Sequence, residues 1–367
     1  MTSSTIATTL SKPTVSEEIW RYSRIGDLNL DNYKLGQVTT KIEGPNETIK
    51  KIVSQISKVV SREPVDIFEE LNLKHGQVTA VSVARNQVVT EPIIVTHSLN
   101  QSGVVVYPRL VIDAQENSEV TIVERFISGN DIESLIVPVV DVRAAQSARV
   151  TYVAINELGT ATWQIGYQQA VGQRDSMMKL FTVALGGDYA RVRAEVRLEG
   201  QGANSQQVAL YFADSTQMHD FRTLQDHAAP RTHSSLLFKG AVKDTAKSVY
   251  TGLIRIRENA TKSEAFQTNR NLTLSHGAWA ESVPNLEIET NDVKCSHAST
   301  VGPVDDEQRF YLESRGIAPD IAERLVVLGF FGEVLDRLPS VPFISDLRER
   351  VSTKLLGESS QNNKAKL

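Results

Sequence analysis

The chain has 367 residues, of which 41% are hydrophobic and 6% aromatic, and its formal net charge is -5. That length can bury a large core, in one large domain or in two or three ordinary ones. The charge is spread along the sequence without a basic arm, so we expect no nucleic-acid partner. The single cysteine allows no internal disulfide, which fits a reducing compartment.

Residues 1–14 are rich in Ser and Thr and lack the apolar stretch of a signal peptide or a membrane span. They predict a loose tail, no membrane partner and a cytoplasmic protein. Apolar residues then recur at helical spacing over residues 47–60 and 64–73. Together these patterns predict an N-terminal tail and helical region over residues 1–76.

Residues 77–302 carry apolar side chains with a period of two, which indicates β-strands. In residues 190–199 every even position is apolar and every odd one charged, so we expect one core face and one solvent face. Many short strands without intervening helices argue against a doubly wound α/β fold and leave a sandwich, a barrel or a β-solenoid. The strands show no strict repeat, so a solenoid would be an irregular one.

The helical period returns over residues 303–367. Acidic residues 305–307 favour a helix start, and Gly316 is a typical helix end. Pro319 is placed to open a second helix, which we expect to reach residue 337. A last helix is predicted over residues 345–355, and residues 357–367 form a polar tail.

The single cysteine lies in the run Lys294-Cys295-Ser296-His297. In an extended segment residues two apart point the same way, so the thiol of Cys295 and the imidazole of His297 would be neighbours. A thiolate binds iron or accepts sulfur, imidazole is also an iron ligand, and a charged imidazole would favour the thiolate. The alternative is structural, with Cys295 as a small buried side chain and His297 as a hydrogen-bonded turn residue. These four residues alone leave both interpretations open.

Other candidate features point less clearly to a site. His219, His227 and His233 match no metal-binding spacing, and packing in strands or turns is the simpler interpretation. No loop with the spacing Gly-x-x-x-x-Gly-Lys-Ser/Thr is present, so ATP hydrolysis would have to come from another protein. Residues 325–335 are apolar almost all round, which predicts a helix that is deeply buried or covered by a partner.

An ordered series of short segments follows in the last part of the chain: Pro-Asn-Leu-Glu-Ile at 284–288, Asp-Val-Lys-Cys-Ser-His at 292–297, Thr-Val-Gly at 300–302, and Phe-Tyr-Leu-Glu-Ser-Arg-Gly-Ile at 310–317. This series is similar to the C-terminal signature of the SufB/SufD family of iron-sulfur cluster assembly scaffold proteins. Segments at 18–22, 68–72, 91–93, 240–242 and 250–252 extend the resemblance over nearly the whole chain. One departure is Ala298, where the family usually has glycine.

The resemblance implies a right-handed parallel β-helix flanked by N- and C-terminal helical regions, and a non-enzymatic scaffold. Cys-Ser-His resembles the SufD branch, whereas SufB is longer and has more cysteines. The family implies that Cys295 and His297 lie where SufB and SufD meet and help to hold a transient iron-sulfur cluster. Since a cluster normally takes about four protein ligands, one cysteine cannot hold it alone, and a SufB partner is expected to supply the rest.

The family also implies an ATPase partner, SufC, that docks on the C-terminal helices, and we expect the contact at Phe310, Tyr311, Arg315, Phe330 and Phe331. Two other functions remain open, a β-solenoid carbohydrate-active enzyme and a homodimeric relative that acts without SufB. The sequence also leaves open whether a flavin takes part.

Overall fold

A computed structural model describes residues 9–44, 53–54 and 63–356 of the chain. The protein is mainly β, with about 48% strand and 16% helix, and forms a β-solenoid of about 8 turns flanked by helices. The β-helix expected from the resemblance is confirmed. None of the described helices is long and apolar enough to cross a membrane.

The helices are α1 (Ile67–His75), α2 (Asp306–Glu313), α3 (Pro319–Leu335) and α4 (Leu347–Leu356), preceded by short 3-10 helices at Glu18–Trp20, Ile25–Asp27 and Leu30–Asn32. The strands are β1 (Lys34–Leu35), β2 (Thr39–Glu43), β3 (Val53–Ser54), β4 (Gln77–Val83), β5 (Ile93–Leu99), β6 (Val104–Val106), β7 (Pro108–Ala114), β8 (Glu119–Ser128), β9 (Leu135–Ile136), β10 (Val139–Ala144), β11 (Arg149–Glu157), β12 (Trp163–Gly172), β13 (Met177–Ala184), β14 (Tyr189–Leu198), β15 (Asn204–Ala213), β16 (Met218–His227), β17 (His233–Val242), β18 (Lys247–Ile256), β19 (Ser263–Thr273), β20 (Trp279–Ile288) and β21 (Val293–Gly302).

The solenoid consists of two mainly parallel sheets, and each turn adds one strand to each of them. The first sheet has the order β20-β18-β16-β14-β12-β10-β7-β4-β3, and the second has the order β2-β5-β8-β11-β13-β15-β17-β19-β21. The turns differ in length, because Trp163 aligns with Tyr189, 26 residues on, whereas Lys247 aligns with Trp279, 32 residues on. The solenoid is therefore irregular, as the lack of a strict repeat predicts.

One corner of the solenoid is made by residues in the left-handed backbone region. Asn117, with φ of 55°, donates its backbone N–H to the carbonyl of Gln146 in the next turn at 3.1 Å. Asn, Asp and Gly adopt this conformation at the lowest cost, and they occupy four of the seven positions at this corner. The residues at this corner are Asn86, Asn117, Ser147, Asp175, Gly202, Arg231 and Lys262.

The N-terminal segment covers the outer face of the first sheet. Arg191 on β14 is only 3% exposed, because its guanidinium stacks on the Trp20 ring at 3.9 Å and donates to the carbonyl of Ile19. The expected solvent face of residues 190–199 is therefore wrong at this position. The expected loose tail is also wrong at its described end, since the N–H of Thr9 donates to the Glu70 carboxylate at 2.8 Å.

The C-terminal helices cover the outer face of the second sheet. Phe331 of α3 packs against Phe212 of β15, with ring centroids 6.4 Å apart. Lys354 of α4 reaches the Asp214 carboxylate at 2.7 Å, and Lys239 of β17 donates to the carbonyl of Phe330 at 2.9 Å. Both outer faces are thus partly covered. Apolar side chains that point outward from the sheets, such as Phe212, are therefore buried.

The predicted helices agree with the structure except near the N-terminus. Helix α1 begins after Asp66, whose carboxylate accepts from the N–H groups of Phe68 and Glu69, and α2 begins after Asp305 in the same way. Helix α3 ends two residues before the predicted end. The helix expected over residues 47–60 lies mostly outside the described residues. Within it, Val53–Ser54 forms strand β3, so the prediction is wrong there.

The buried ion cluster under the N-terminal segment provides a test of how the outer face is held. Asp220 is fully buried between Arg191 and Arg222, and it accepts from the Tyr189 hydroxyl at 2.9 Å. We expect Asp220→Ala to lower the free energy of unfolding by about 3–5 kcal/mol, since two buried guanidinium groups lose their counter-charge. Urea unfolding followed by tryptophan fluorescence measures the loss.

The control for this prediction is Arg174→Ala. Arg174 pairs with Asp175 on the surface, and its side chain is 66% exposed. This variant should cost at most about 1 kcal/mol. Equal losses in Asp220→Ala and Arg174→Ala would contradict the assigned role of the buried cluster.

Candidate functional site

The two ends of the solenoid differ in how their strand edges are finished. At the N-terminal end, the short strands β2 and β3 pair antiparallel with β5 and β4. At the C-terminal end, β20 and β21 have 10 residues each and pair only inward, with β18 and β19. In the described part of the chain no strand pairs with their outer edges. Long unpaired edges are docking sites for another strand.

The candidate residues lie on β21, at this open end. Cys295 aligns with Ala265 and His297 with Gln267, and both of these β19 residues are buried in the solenoid interior. Aligned residues of parallel strands face the same way, so Cys295 and His297 both point toward the end of the interior, as the alternation predicts. The side chain of Lys294 faces the opposite side and binds Glu264 at 2.7 Å.

Cys295 is half-buried beside an apolar cluster that includes Ile254, Ile256 and Ala265. Burial raises the pKa of its thiol above the usual value. In the chain alone the group is therefore a thiol at neutral pH. A bound metal ion would displace this proton.

The backbone around the motif is regular strand. His297 is exposed at the end of the interior. Ala298 has no left-handed φ and pairs with Thr268 in the ladder. The alanine found where the family usually has glycine therefore needs no special backbone conformation here.

A hydrogen-bond network that runs from exposed Ser299 into the buried interior lies next to the two candidate residues, and the sequence analysis did not predict it. Ser299 of β21 donates to Ser282 of β20 at 2.6 Å, and Ser282 donates to the Asn269 amide oxygen at 2.8 Å. Asn271 and the Tyr211 hydroxyl continue the network inward. The sequence did contain a signal for this network. Asn269 and Asn271 occupy inward positions of β19, where the alternation predicts apolar residues.

The three clustered histidines pack in the interior or on the surface and do not converge. His219 is fully buried and donates to the carbonyl of Gly186 at 3.2 Å, and burial lowers its pKa to about 3. His227 bonds to the hydroxyls of Thr232 and Ser234, both at 2.7 Å. Among the residues that the structure describes, no three His, Cys, Asp or Glu side chains are grouped to hold a metal ion.

The expected docking residues separate into two groups. Phe310 is 70% exposed and Tyr311 56% exposed on α2, and the guanidinium of Arg315 lies 4.4 Å from the Tyr311 ring. Phe331 is fully buried against the second sheet, and Phe330 is partly buried beside Lys239. The prediction that Phe331 lies on a docking surface is wrong, because α3 uses that side for packing within the chain.

Comparison with known proteins identifies the family. Residues 97–330 match the family model described as SUF system FeS cluster assembly, SufBD core domain. The chain belongs to the SufB/SufD family. It is 40% identical over 285 residues to an iron-sulfur cluster assembly SufBD family protein of Mycobacterium tuberculosis, covering 76% of this chain and 70% of the relative.

Two SufD proteins are also similar to this SufB/SufD chain. Identity to the iron-sulfur cluster assembly protein SufD of Escherichia coli is 28% over 297 residues, covering 80% of this chain and 70% of that protein. Identity to SufD of Bacillus subtilis is 29% over 299 residues, covering 76% and 68%. Cys295 and His297 lie inside the matched SufB/SufD core region.

The raised thiol pKa predicts how Cys295 reacts with iodoacetamide. The thiolate is the nucleophile, so alkylation of the folded chain should reach its half-maximal rate at a higher pH than alkylation of a cysteine in an unstructured peptide. Mass spectrometry of timed aliquots measures the rate across the pH range. A half-maximal rate at or below the pH of the peptide would contradict the assigned environment.

Proposed function

We propose that this chain is a SufD-like, non-catalytic scaffold subunit that pairs with a SufB-type partner and holds a nascent iron-sulfur cluster between the two proteins. The observation that carries the proposal is the position of Cys295 and His297 side by side on an unpaired edge strand. The cluster is cargo, which the complex builds and passes on. Thiolate and imidazole are both suitable ligands for its iron.

The number of thiols supports a shared site. A cluster normally takes about four protein ligands, and this chain contains one cysteine. Ligands from a second protein would have to approach the same open end of the solenoid. The protein that brings them would also cover the unpaired edges of β20 and β21.

The side chains at the open end support an interface there. Leu286 is 40% exposed, Ile288 44% and Val301 42%, and all three lie on β20 or β21. Pro284 also lies on β20, and proline is tolerated on edge strands. Exposed apolar side chains beside unpaired backbone groups are typical of a surface that binds another protein.

We also propose that the ATPase subunit, SufC, docks on α2 and the start of α3. The exposed aromatic residues Phe310 and Tyr311 lie on α2, and Ile321 and Leu325 add exposed apolar area on α3. Aromatic residues and arginine are enriched where binding energy concentrates, and Arg315 lies beside Tyr311. Helix α3 packs on β15 and β17. A movement of α2 and α3 on SufC binding would therefore be transmitted to the second sheet, whose last strand is β21.

The family assignment favours cluster assembly over the carbohydrate-active alternative. A homodimer that acts without SufB remains a second candidate, because the same open edges fit a two-fold related copy. Light scattering on the chain with and without SufB distinguishes the two. A homodimer that persists with SufB in excess would favour the second candidate.

The first test combines pairing with cluster formation. Co-expressed with SufB and SufC, the chain should co-elute with both, and its own elution apart from a SufB–SufC complex would contradict pairing. We expect His297→Ala and Cys295→Ala to keep the complex but lower cluster yield, for His297→Ala by about tenfold, since losing a ligand costs at least as much as losing a residue that supports one. Absorbance and iron content measure the yield.

The matched control is Ser296→Ala, because Ser296 lies between the two residues on the opposite face of β21. It should leave cluster yield unchanged. If His297→Ala and Cys295→Ala also left the yield unchanged, the pair would be structural.

The second test concerns the ATPase contact. The double variant Phe310→Ala with Tyr311→Ala should weaken SufC binding about tenfold or more, equivalent to at least about 1.4 kcal/mol, while the fold is retained. Titration of SufC in a calorimeter measures the affinity. Val15→Ala is the control, since Val15 is 54% exposed on the N-terminal segment.

Phe331→Ala should behave differently from the double variant. Because Phe331 is fully buried, its truncation should lower the free energy of unfolding by about 3–5 kcal/mol. Unchanged SufC affinity in the double variant would contradict the α2 surface.

A further inference from the structure

Gln267 lies directly beneath His297, one turn into the solenoid. The two residues are aligned in the ladder between β19 and β21. Gln267 is 2% exposed, and neither its amide nitrogen nor its amide oxygen has a hydrogen-bond partner among the described residues. A buried amide without partners costs free energy, so its presence beside the candidate site needs an explanation.

The space around this amide is kept open by Gly252 of β18. A Cβ atom at Gly252 would lie 2.5 Å from the Gln267 amide nitrogen and 2.4 Å from the Tyr250 hydroxyl. Any larger residue at position 252 would therefore displace the amide. The Gln267 side chain reaches across the interior into this space, just below the open end.

Gln267 and His297 are neighbours in one column of aligned side chains, because neighbouring strands are about 4.8 Å apart. A hydrogen bond between them requires the exposed His297 ring to rotate toward the amide. An imidazole that donates one N–H to such an acceptor has its tautomer fixed. Its other nitrogen is then the lone-pair donor available to a metal ion.

We propose that Gln267 is a positioning residue for His297: its amide oxygen accepts one imidazole N–H and so directs the other ring nitrogen toward the incoming cluster. This inference rests on the proposed function and specifies how the chain fixes the tautomer and orientation of His297. Gln267 itself binds no iron.

The interior contains a matched control for this role. Gln207 of β15 aligns with Leu236, which aligns with Gln267, so Gln207 lies in the same column two turns further from His297. It is also 2% exposed with both amide atoms unpartnered in the described structure. A purely structural role of a buried glutamine would apply to both positions.

The test uses the full chain with nitrogen-15 labelled histidine. The His297 signals are assigned by their loss in His297→Gln, and the spectra are recorded at about pH 8.5, about two units above the ordinary imidazole pKa. The ring nitrogen shifts report which tautomer is present. We expect one tautomer to dominate in the unmodified chain.

Gln267→Leu should move the His297 shifts toward the averaged values of an unconstrained imidazole, whereas Gln267→Glu, which keeps an acceptor oxygen, should restore a single tautomer. Gln207→Leu should leave the His297 shifts unchanged. Unchanged shifts in Gln267→Leu would overturn the proposal, and so would an equal change in Gln207→Leu.

Cluster yield in the complex with SufB and SufC separates this inference from the proposed function. If both hold, Gln267→Leu lowers the yield in the same direction as His297→Ala and by a smaller factor. A tautomer change with no loss of yield in His297→Ala would keep the positioning contact and reject the cluster role. Loss of yield in His297→Ala with unchanged tautomers in Gln267→Leu would keep the cluster role of His297 and reject the positioning contact.

Discussion

The parallel hydrogen-bond ladder between successive turns is the constraint on which the rest of the structure depends. Each strand pairs with the strand one turn before it and one turn after it, so the ladder must end somewhere. The N-terminal end is finished by the short antiparallel strands β2 and β3, whereas β20 and β21 leave ten-residue edges. Cys295 and His297 lie on the last strand, where, under the proposed function, a second protein would complete both the ladder and the ligand set.

The same ladder explains why the chain needs its terminal segments. Each sheet has an outer face, and these faces bury a charged cluster around Asp220 on one side and the aromatic pair of Phe212 and Phe331 on the other. The segments that cover them are far away in sequence. By holding α3 against the second sheet, this packing leaves Phe310 and Tyr311 exposed on α2, the helix that follows β21 in the chain.

Much of the fold could be predicted from sequence, and so could the choice of candidate residues. The period of two predicted the strands, and the motif singled out Cys295 and His297 as candidates, because both depend on local order along the chain. The burial of Arg191 could not be predicted, since it depends on Trp20, which lies about 170 residues earlier and contacts it only in the folded protein. Phe331 was misassigned for the same reason, as an apolar helix does not reveal which face its own chain covers.

The reactivity of Cys295 at the open end depends on the solenoid interior below it and on whether a second protein covers the end. The interior contributes apolar packing, which raises the pKa of Cys295 and keeps its thiol protonated while the chain is alone. It also contributes polar side chains, Asn269 among them, that tie β20 to β21 just below the site. A protonated thiol is a poor ligand and a poor nucleophile, so Cys295 has low reactivity while no partner covers this end of the solenoid. Under the proposed function, metal binding would convert the thiol to thiolate, and the remaining ligands would come from the protein that covers the edge.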